Sequence, residues 1–194
     1  MSLSEIIMSE HSKAQAEMIA DIIIQRPELL DELLEIIFSD KEPLSRRAAW
    51  PLRFIHEKDE QLLISCLPTL ITNLPKVKSV AVQRNLLYVL AYSEVKQSHH
   101  SELLQFSSEL LLDSGTSVAS LVYSMDIFYK IASCEPDLLN ELVLIIHQIL
   151  PNATAGVKSK SMKILRKIEK SGQKFIEFSN QLKLILPFQY NKGK

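Results

Sequence analysis

Two stretches of this chain, 109 positions apart, carry nearly the same amino-acid sequence. The first, Pro27–Ile37, reads Pro-Glu-Leu-Leu-Asp-Glu-Leu-Leu-Glu-Ile-Ile, and the second, Pro136–Ile146, reads Pro-Asp-Leu-Leu-Asn-Glu-Leu-Val-Leu-Ile-Ile. Reuse of an amphipathic segment at a fixed offset is the signature of a repeat protein built from small supersecondary units. The offset corresponds to about three helical repeats, and the rest of the chain can be laid out on that period.

Equivalent apolar positions give the length of the repeat. Anchors in the first helix of each unit are separated by 33 to 41 residues, and anchors in the second helix give the same range. With only four Gly in 194 residues, the chain lacks the turn chemistry of an all-β fold. We therefore predict one all-α solenoid domain over residues 1–194. Its five helical hairpins are expected at approximately 4–38, 43–74, 76–112, 115–150 and 153–187.

Three segments carry a resemblance to a known family. They are Ser45–Trp50 (Ser-Arg-Arg-Ala-Ala-Trp), Leu70–Lys78 (Leu-Ile-Thr-Asn-Leu-Pro-Lys-Val-Lys) and Thr154–Leu165 (Thr-Ala-Gly-Val-Lys-Ser-Lys-Ser-Met-Lys-Ile-Leu). In these segments the chain resembles small bacterial HEAT-like repeat proteins of unassigned function. The resemblance implies an α-solenoid and supplies no activity. Together with the period it predicts a right-handed superhelix of stacked hairpins, of the HEAT or armadillo type, with one continuous core.

Local signals predict where individual helices begin and bend. Apolar residues from Ile6 to Ile23 suit a single first helix. Ser45 and Asp59 are expected to cap the helices that follow them. Pro51 lies inside a helical pattern, so we expect a kink there, because proline has no N–H to donate.

No motif predicts an enzyme or a cofactor. His99 and His100 are adjacent, so their side chains diverge on a helix and cannot chelate a metal without a third ligand. Cys66 and Cys134 lie in apolar helical patterns and are expected to be buried, reduced thiols. The chain lacks a nucleophile elbow and a phosphate loop. It also lacks a signal peptide and a long apolar run, which predicts a cytoplasmic protein that does not enter a membrane.

The one tryptophan allows two interpretations. Trp50, beside Arg46 and Arg47, either packs between hairpins or forms a stacking and cation–π binding site. HEAT-like alkylpurine DNA glycosylases use Trp and Asp on a basic concave surface, and Asp126 is available here. A second Trp is missing, and the middle of this chain is not basic. Nucleic-acid binding is therefore the alternative rather than the leading hypothesis.

Charge is distributed unevenly along the chain. Residues 1–150 hold 12 Lys and Arg against 21 Asp and Glu, a net charge of −9, whereas residues 151–194 hold 10 against 2, a net charge of +8. Lys163, Lys167, Lys170 and Lys174 step by four, three and four residues, which places them on one helix face. Such a stripe fits nucleic acid, an acidic peptide or an acidic face of another copy, or it is only the polar face of a terminal repeat.

The leading hypothesis is a non-enzymatic scaffold that binds a protein or peptide. The second helices of the hairpins are expected to form its concave surface, and their acidic side chains favour a basic partner. We also predict weak, salt-sensitive self-association of the lysine stripe with acids such as Asp31, Glu32 and Glu35. The polar residues predicted to face the partner are Glu32, Glu35, Glu102, Gln105, Glu141 and Gln148.

Overall fold

The computed structural model describes residues 2–133 and 135–171, and these residues form helices and no strand. Four short 3-10 turns join the α-helices. The all-α solenoid predicted from the repeat is confirmed. The helices are α1 (Leu3–Ser9), α2 (Lys13–Gln25), α3 (Leu30–Phe38), α4 (Leu44–Ala49), α5 (Pro51–Lys58), α6 (Gln61–Ile64), α7 (Leu67–Asn73), α8 (Val80–Tyr92), α9 (His100–Leu112), α10 (Val118–Ala132), α11 (Pro136–Ile149) and α12 (Ala155–Lys170).

The hairpins stack so that each first helix touches the next. Helix α2 packs on α5, α5 on α8, α8 on α10 and α10 on α12, and we call these five helices the first layer. The second helices α3, α7, α9 and α11 follow them in the chain; α7, α9 and α11 pack on this layer, whereas α3 packs on α4 and α1. Side-chain bonds between repeats join residues 31 to 40 positions apart, close to the predicted period. The second helix predicted for the fifth hairpin lies outside the described residues.

Proline divides two of the predicted helices, as expected from its missing N–H. Pro51 is the first residue of α5, and Trp50 separates α5 from α4. Pro68 lies in the first turn of α7, after a break at Ser65 and Cys66. Because of the first break, α4 packs against α1, α3 and α8 while α5 packs against α2 and α8.

The single first helix predicted from Ile6 to Ile23 is wrong, because two caps divide it. Ser2 and Glu5 form a capping box at the start of α1, and Ser12 caps α2 by accepting from the N–H of Gln15. The amide of Gln15 then donates to the carbonyl of Ile6 at 2.5 Å and fixes the corner between the two helices.

Two predicted caps are also wrong. The N–H of Ser45 already donates to the carbonyl of Lys41 at 3.0 Å, so Ser45 lies within the first turn of α4, where it is buried. Asp59 ends the preceding helix instead, since its N–H donates to the carbonyl of Ile55 at 2.7 Å. Cap preference is a local signal, and here the geometry of the incoming chain decides where each helix starts.

The buried apolar side chains form two clusters rather than the one continuous core predicted. The larger cluster runs from α1 to α10, and the smaller one joins the C-terminal turn of α9 to α10, α11 and α12. Helix α10 supplies both: Ile127 and Ile131 belong to the first cluster, and Met125 and Phe128 to the second. Small polar residues are buried where α10 meets its neighbours, and their size allows the helices to approach closely. They are Ser107, Ser120, Ser124 and Ser161.

Candidate interaction surfaces

A patch of tyrosine lies on adjacent first-layer helices. Tyr88 and Tyr92 are one turn apart on α8, and Tyr123 faces them from α10. Their rings meet edge to face, with centroids 5.0 Å apart for Tyr88 and Tyr92, 5.6 Å for Tyr88 and Tyr123, and 6.2 Å for Tyr92 and Tyr123. This geometry suits the ring quadrupoles. Tyr92 remains 48% exposed, so the patch presents aromatic surface to solvent.

An ion pair from α5 borders this patch. The guanidinium of Arg53 lies 4.9 Å from the ring centroid of Tyr88 and bonds the carboxylate of Glu57 at 2.8 Å. The hydroxyl of Tyr88 donates to the same carboxylate at 2.9 Å. The bond from Arg53 holds the pKa of Glu57 below its usual value and raises the pKa of Arg53. Burial, followed by the bond to Glu57, raises the pKa of Tyr88 to about 12.

We expect the ionisation of Tyr88 to follow that of ordinary tyrosines in an alkaline titration. The folded pKa of about 12 lies above the unfolded value. The contribution of Tyr88 to stability is therefore complete below about pH 10 and is lost as the pH rises towards 12. Ultraviolet absorbance of phenolate should show a late phase whose amplitude is smaller in the Tyr88→Phe variant. Burial also raises the pKa of Tyr92, so the variant keeps part of this phase. An unchanged amplitude in the variant would show that the assignment to Tyr88 is wrong.

A second ion pair lies on the opposite side of the tyrosines. Asp126 on α10 pairs with the ammonium of Lys160 on α12 and accepts a bond from the hydroxyl of Tyr92 at 3.4 Å. Lys167, two turns further along α12, lies 5.3 Å from the ring centroid of Tyr129 on α10. These contacts place one side of α12 beside the tyrosine patch.

The predicted lysine stripe therefore continues the tyrosine surface. Lys163, Lys167 and Lys170 are exposed on α12, as predicted, and Lys160 extends the stripe by one position. Lys174 lies outside the described residues. We call this surface the tyrosine–lysine face; its members are Tyr88, Tyr92, Tyr123, Tyr129, Lys160, Lys163, Lys167 and Lys170.

Sequence reasoning did not single out the tyrosines. The spacing of their partners could have indicated the patch, because Tyr92, Asp126 and Lys160 follow one another at intervals of 34 residues, within the repeat period. A bonded set that recurs at the repeat length marks neighbouring helices of a solenoid. Tyrosine suits both a buried and an exposed position, so the apolar pattern alone does not reveal such a patch.

In the structure, Trp50 packs against a histidine and a phenylalanine, and Arg47 lines the same small cavity as Trp50. Its indole ring packs against His11, with centroids 5.6 Å apart, and against Phe54 at 6.4 Å. Arg46 pairs with Glu42 at 3.4 Å, and a terminal nitrogen of Arg47 donates to the carbonyl of Met8 at 3.2 Å.

Trp50 and Asp126 therefore have different neighbours. Trp50 packs on the larger core cluster, as the packing interpretation expects, whereas Asp126 is paired with Lys160 on α12. The structure thus does not bring together the Trp and Asp on which the nucleic-acid alternative relies.

The four second helices within the described ranges carry acidic side chains and no Lys or Arg. Helices α3, α7, α9 and α11 contain seven exposed carboxylates and no Lys or Arg. The first layer instead holds eleven Lys and Arg against five Asp and Glu, a net charge of +6. The carboxylates, which we call the acidic face, are Asp31, Glu32, Glu35, Glu102, Glu109, Asp137 and Glu141.

The acidic face is not neutralised within the described part of the chain. There, each ion pair of a Lys or Arg uses an acid outside these seven, such as Asp21 with Lys58 or Asp40 with Lys78. Glu102 lies 4.0 Å from a ring nitrogen of His99, and Glu109 accepts from the Gln105 amide at 3.1 Å. The carboxylates are therefore free to meet cations from outside.

The histidine and cysteine side chains considered as catalytic or metal-binding candidates contact backbone carbonyls. The ring of His100 lies 3.1 Å from the carbonyl of Val95, and the thiol of Cys66 is buried against the carbonyl of Leu63 at 3.1 Å. Burial raises the pKa of Cys66 to about 11, which suppresses the reactive thiolate. Across residues 2–133 and 135–171, no group of three His, Cys, Asp or Glu is placed to hold a metal ion.

A helix that spans a membrane must be long and predominantly apolar. None of the helices in the described ranges is long and apolar enough to cross a bilayer.

Comparison with known proteins identifies the family of the fold. No curated protein and no solved structure matches this chain. A family model described as a HEAT repeat domain matches residues 3–168, which covers most of the chain and nearly all of the described helices. The chain therefore belongs to the HEAT repeat family.

Proposed function

We propose that this protein is a non-enzymatic interaction scaffold whose acidic face binds a basic segment of a partner protein. The observation that carries the proposal is the charge of the four described second helices, where seven exposed carboxylates occur without a Lys or Arg. Stacked repeats create extended surfaces, and the family to which the chain belongs is built in this way.

Electrostatics decides what kind of partner this surface admits. Carboxylates without internal partners repel an acidic segment and attract a basic one, which gives specificity and a faster encounter. One exposed ion pair contributes only about 0.2–1 kcal/mol. A useful affinity therefore requires a partner that meets several of the acids at once.

The position of the acids indicates an extended partner. Helices α9 and α11 touch each other, so Glu102, Glu109, Asp137 and Glu141 belong to neighbouring helices of one surface. Helix α3, at the other end of the solenoid, adds three more acids. A segment rich in Lys and Arg that crosses several second helices meets this arrangement better than a compact ligand does.

The proposal is tested by titrating a labelled Lys- and Arg-rich peptide and following its fluorescence anisotropy. We expect binding that weakens at least about tenfold between roughly 50 and 300 mM salt, as screening of exposed charges requires. Glu102→Lys/Glu141→Lys should weaken binding by a similar factor. Its matched control, Glu60→Lys/Glu94→Lys, makes the same change in net charge outside the acidic face.

The control separates a defined surface from general attraction. If both double variants lose the same affinity, the peptide senses only net charge, and the acidic face is not a binding site. Affinity that is unchanged in Glu102→Lys/Glu141→Lys would also overturn the proposal.

A further inference from the structure

The tyrosine–lysine face has the composition of a protein interface. Tyrosine and arginine are enriched at the energetically important centres of interfaces. Here three tyrosine rings are held in fixed edge-to-face contact, so little side-chain freedom is lost when another surface covers them. Glu57 and Asp126 are already paired with Arg53 and Lys160, so the unpaired charge beside the rings is positive.

That positive charge comes mainly from α12. This helix contains six Lys and Arg against one Glu, and Lys163 and Lys170 are exposed on the side that carries Lys160 and Lys167. A surface that covers the tyrosines and meets this stripe must therefore be acidic. Among the described residues, the acidic face of the same protein meets this requirement.

We infer that the tyrosine–lysine face of one copy docks on the acidic face of a second copy of this chain. The two surfaces belong to opposite layers of the described helices. The first layer has a net charge of +6, whereas the second helices α3, α7, α9 and α11 carry seven carboxylates and no Lys or Arg. The inference rests on the proposed function, because the second copy would occupy the surface proposed for a basic partner. In this arrangement α12 acts as a basic segment supplied by the protein itself.

The size of the face sets the strength of the contact. Helices α8, α10 and α12 contain 13, 15 and 16 residues. At about 1.5 Å per residue and 8–10 Å between axes, they present roughly 500 Å². Two copies would then bury about 1,000 Å² in total, the lower end of specific interfaces. We therefore expect weak association that exchanges rapidly and depends on salt.

The use of two different faces determines the form of the assembly. A contact between unlike surfaces leaves one free surface of each kind, so a third copy can add to a pair. Association should therefore continue beyond the dimer as concentration rises, rather than stop at a symmetric pair.

Sedimentation velocity of the full chain tests the inference. We expect the average sedimentation coefficient to rise with protein concentration at about 50 mM salt and to stay at the monomer value at about 500 mM. Lys163→Glu/Lys167→Glu should remain monomeric at low salt. Lys41→Glu/Lys96→Glu, a control with the same change in net charge outside both faces, should associate as the wild type does.

Mixing two variants gives a sharper test. Lys163→Glu/Lys167→Glu keeps its acidic face, and Glu102→Lys/Glu141→Lys keeps its tyrosine–lysine face. Each variant alone should be monomeric, whereas an equimolar mixture should regain association through the two intact faces. Recovery on mixing also shows that both variants are folded.

Four results would overturn the inference. The wild type could be monomeric at every salt concentration, or either charge-reversed variant could still associate by itself. An equimolar mixture of the two variants could fail to associate, or an oligonucleotide could bind a monomeric wild type through the lysines of α12. Peptide binding to the acidic face by a monomeric wild type would leave the proposed function intact while removing this inference. Self-association without peptide binding would remove the proposed function instead.

Discussion

Replacing Phe128 by alanine is expected to lower the free energy of unfolding by about 3–5 kcal/mol, as for other large core aromatics. Phe128 is 1% exposed and belongs to the smaller cluster, which joins α9, α10, α11 and α12. The surrounding helices cannot collapse fully into the space that the ring leaves, so a cavity cost adds to the lost transfer free energy. Chemical denaturation followed by circular dichroism gives the change.

Leu87 is the matched test in the other cluster. It is fully buried on α8, and Leu87→Ala should cost about 2–5 kcal/mol. Leu112→Ala serves as the control, because Leu112 is 52% exposed and its truncation should change stability by about 0.5 kcal/mol or less. Denaturation midpoints that match the wild type for Phe128→Ala and Leu87→Ala would contradict the packing described here.

The second large effect is expected at Lys130, which closes the end of a neighbouring helix. Its ammonium on α10 donates to the carbonyls of Leu90 and Ala91, at 3.1 Å each, and to that of Ser93. These are carbonyls at the C-terminus of α8, where the helix leaves its acceptors unsatisfied. Lys130→Met keeps the apolar stem and removes the donors, so we expect a loss of about 1–3 kcal/mol.

The burial of Lys130 reduces the stability that its hydrogen bonds to α8 contribute. Desolvation lowers the pKa of Lys130, so burying the charged form offsets part of what the three bonds contribute. Lys158→Met, on the exposed surface of α12, is the control and should change stability by about 0.5 kcal/mol or less. A loss for Lys130→Met that is no larger than the control's would show that water satisfies the same carbonyls.

Much of the fold could be predicted from single residues. Pro51 lacks an N–H, so the break before α5 follows from its chemistry alone. Ser117 and Thr154 cap α10 and α12, and both residue types are favoured at helix N-caps. Ser45 was misjudged because the same side chain that caps a helix also fits inside one, and only the path of the preceding residues distinguishes the two.

The surfaces were predicted less completely. Glu102 and Glu141 were expected to be exposed on second helices, and they are. Charge sums along the sequence show a gradient from the acidic residues 1–150 to the basic residues 151–194, whereas folding also separates charge between alternate helices. A net charge summed over a long stretch of sequence does not reveal a charge that alternates in sign from one helix to the next. The tyrosine patch depends on how closely α8 and α10 approach, which buried residues such as Ser120 and Ser124 allow.

Helix α10 supplies side chains to both core clusters, so each cluster depends on the same helix. If α10 detaches from one cluster, the other cluster is exposed as well. This helix therefore couples the stability of the two parts of the chain, although each repeat of a solenoid contacts only its neighbours. Helix α12, in contrast, joins only the smaller cluster. Its detachment would therefore be a local opening at the C-terminal side of the described helices, while loss of α10 would be a global event.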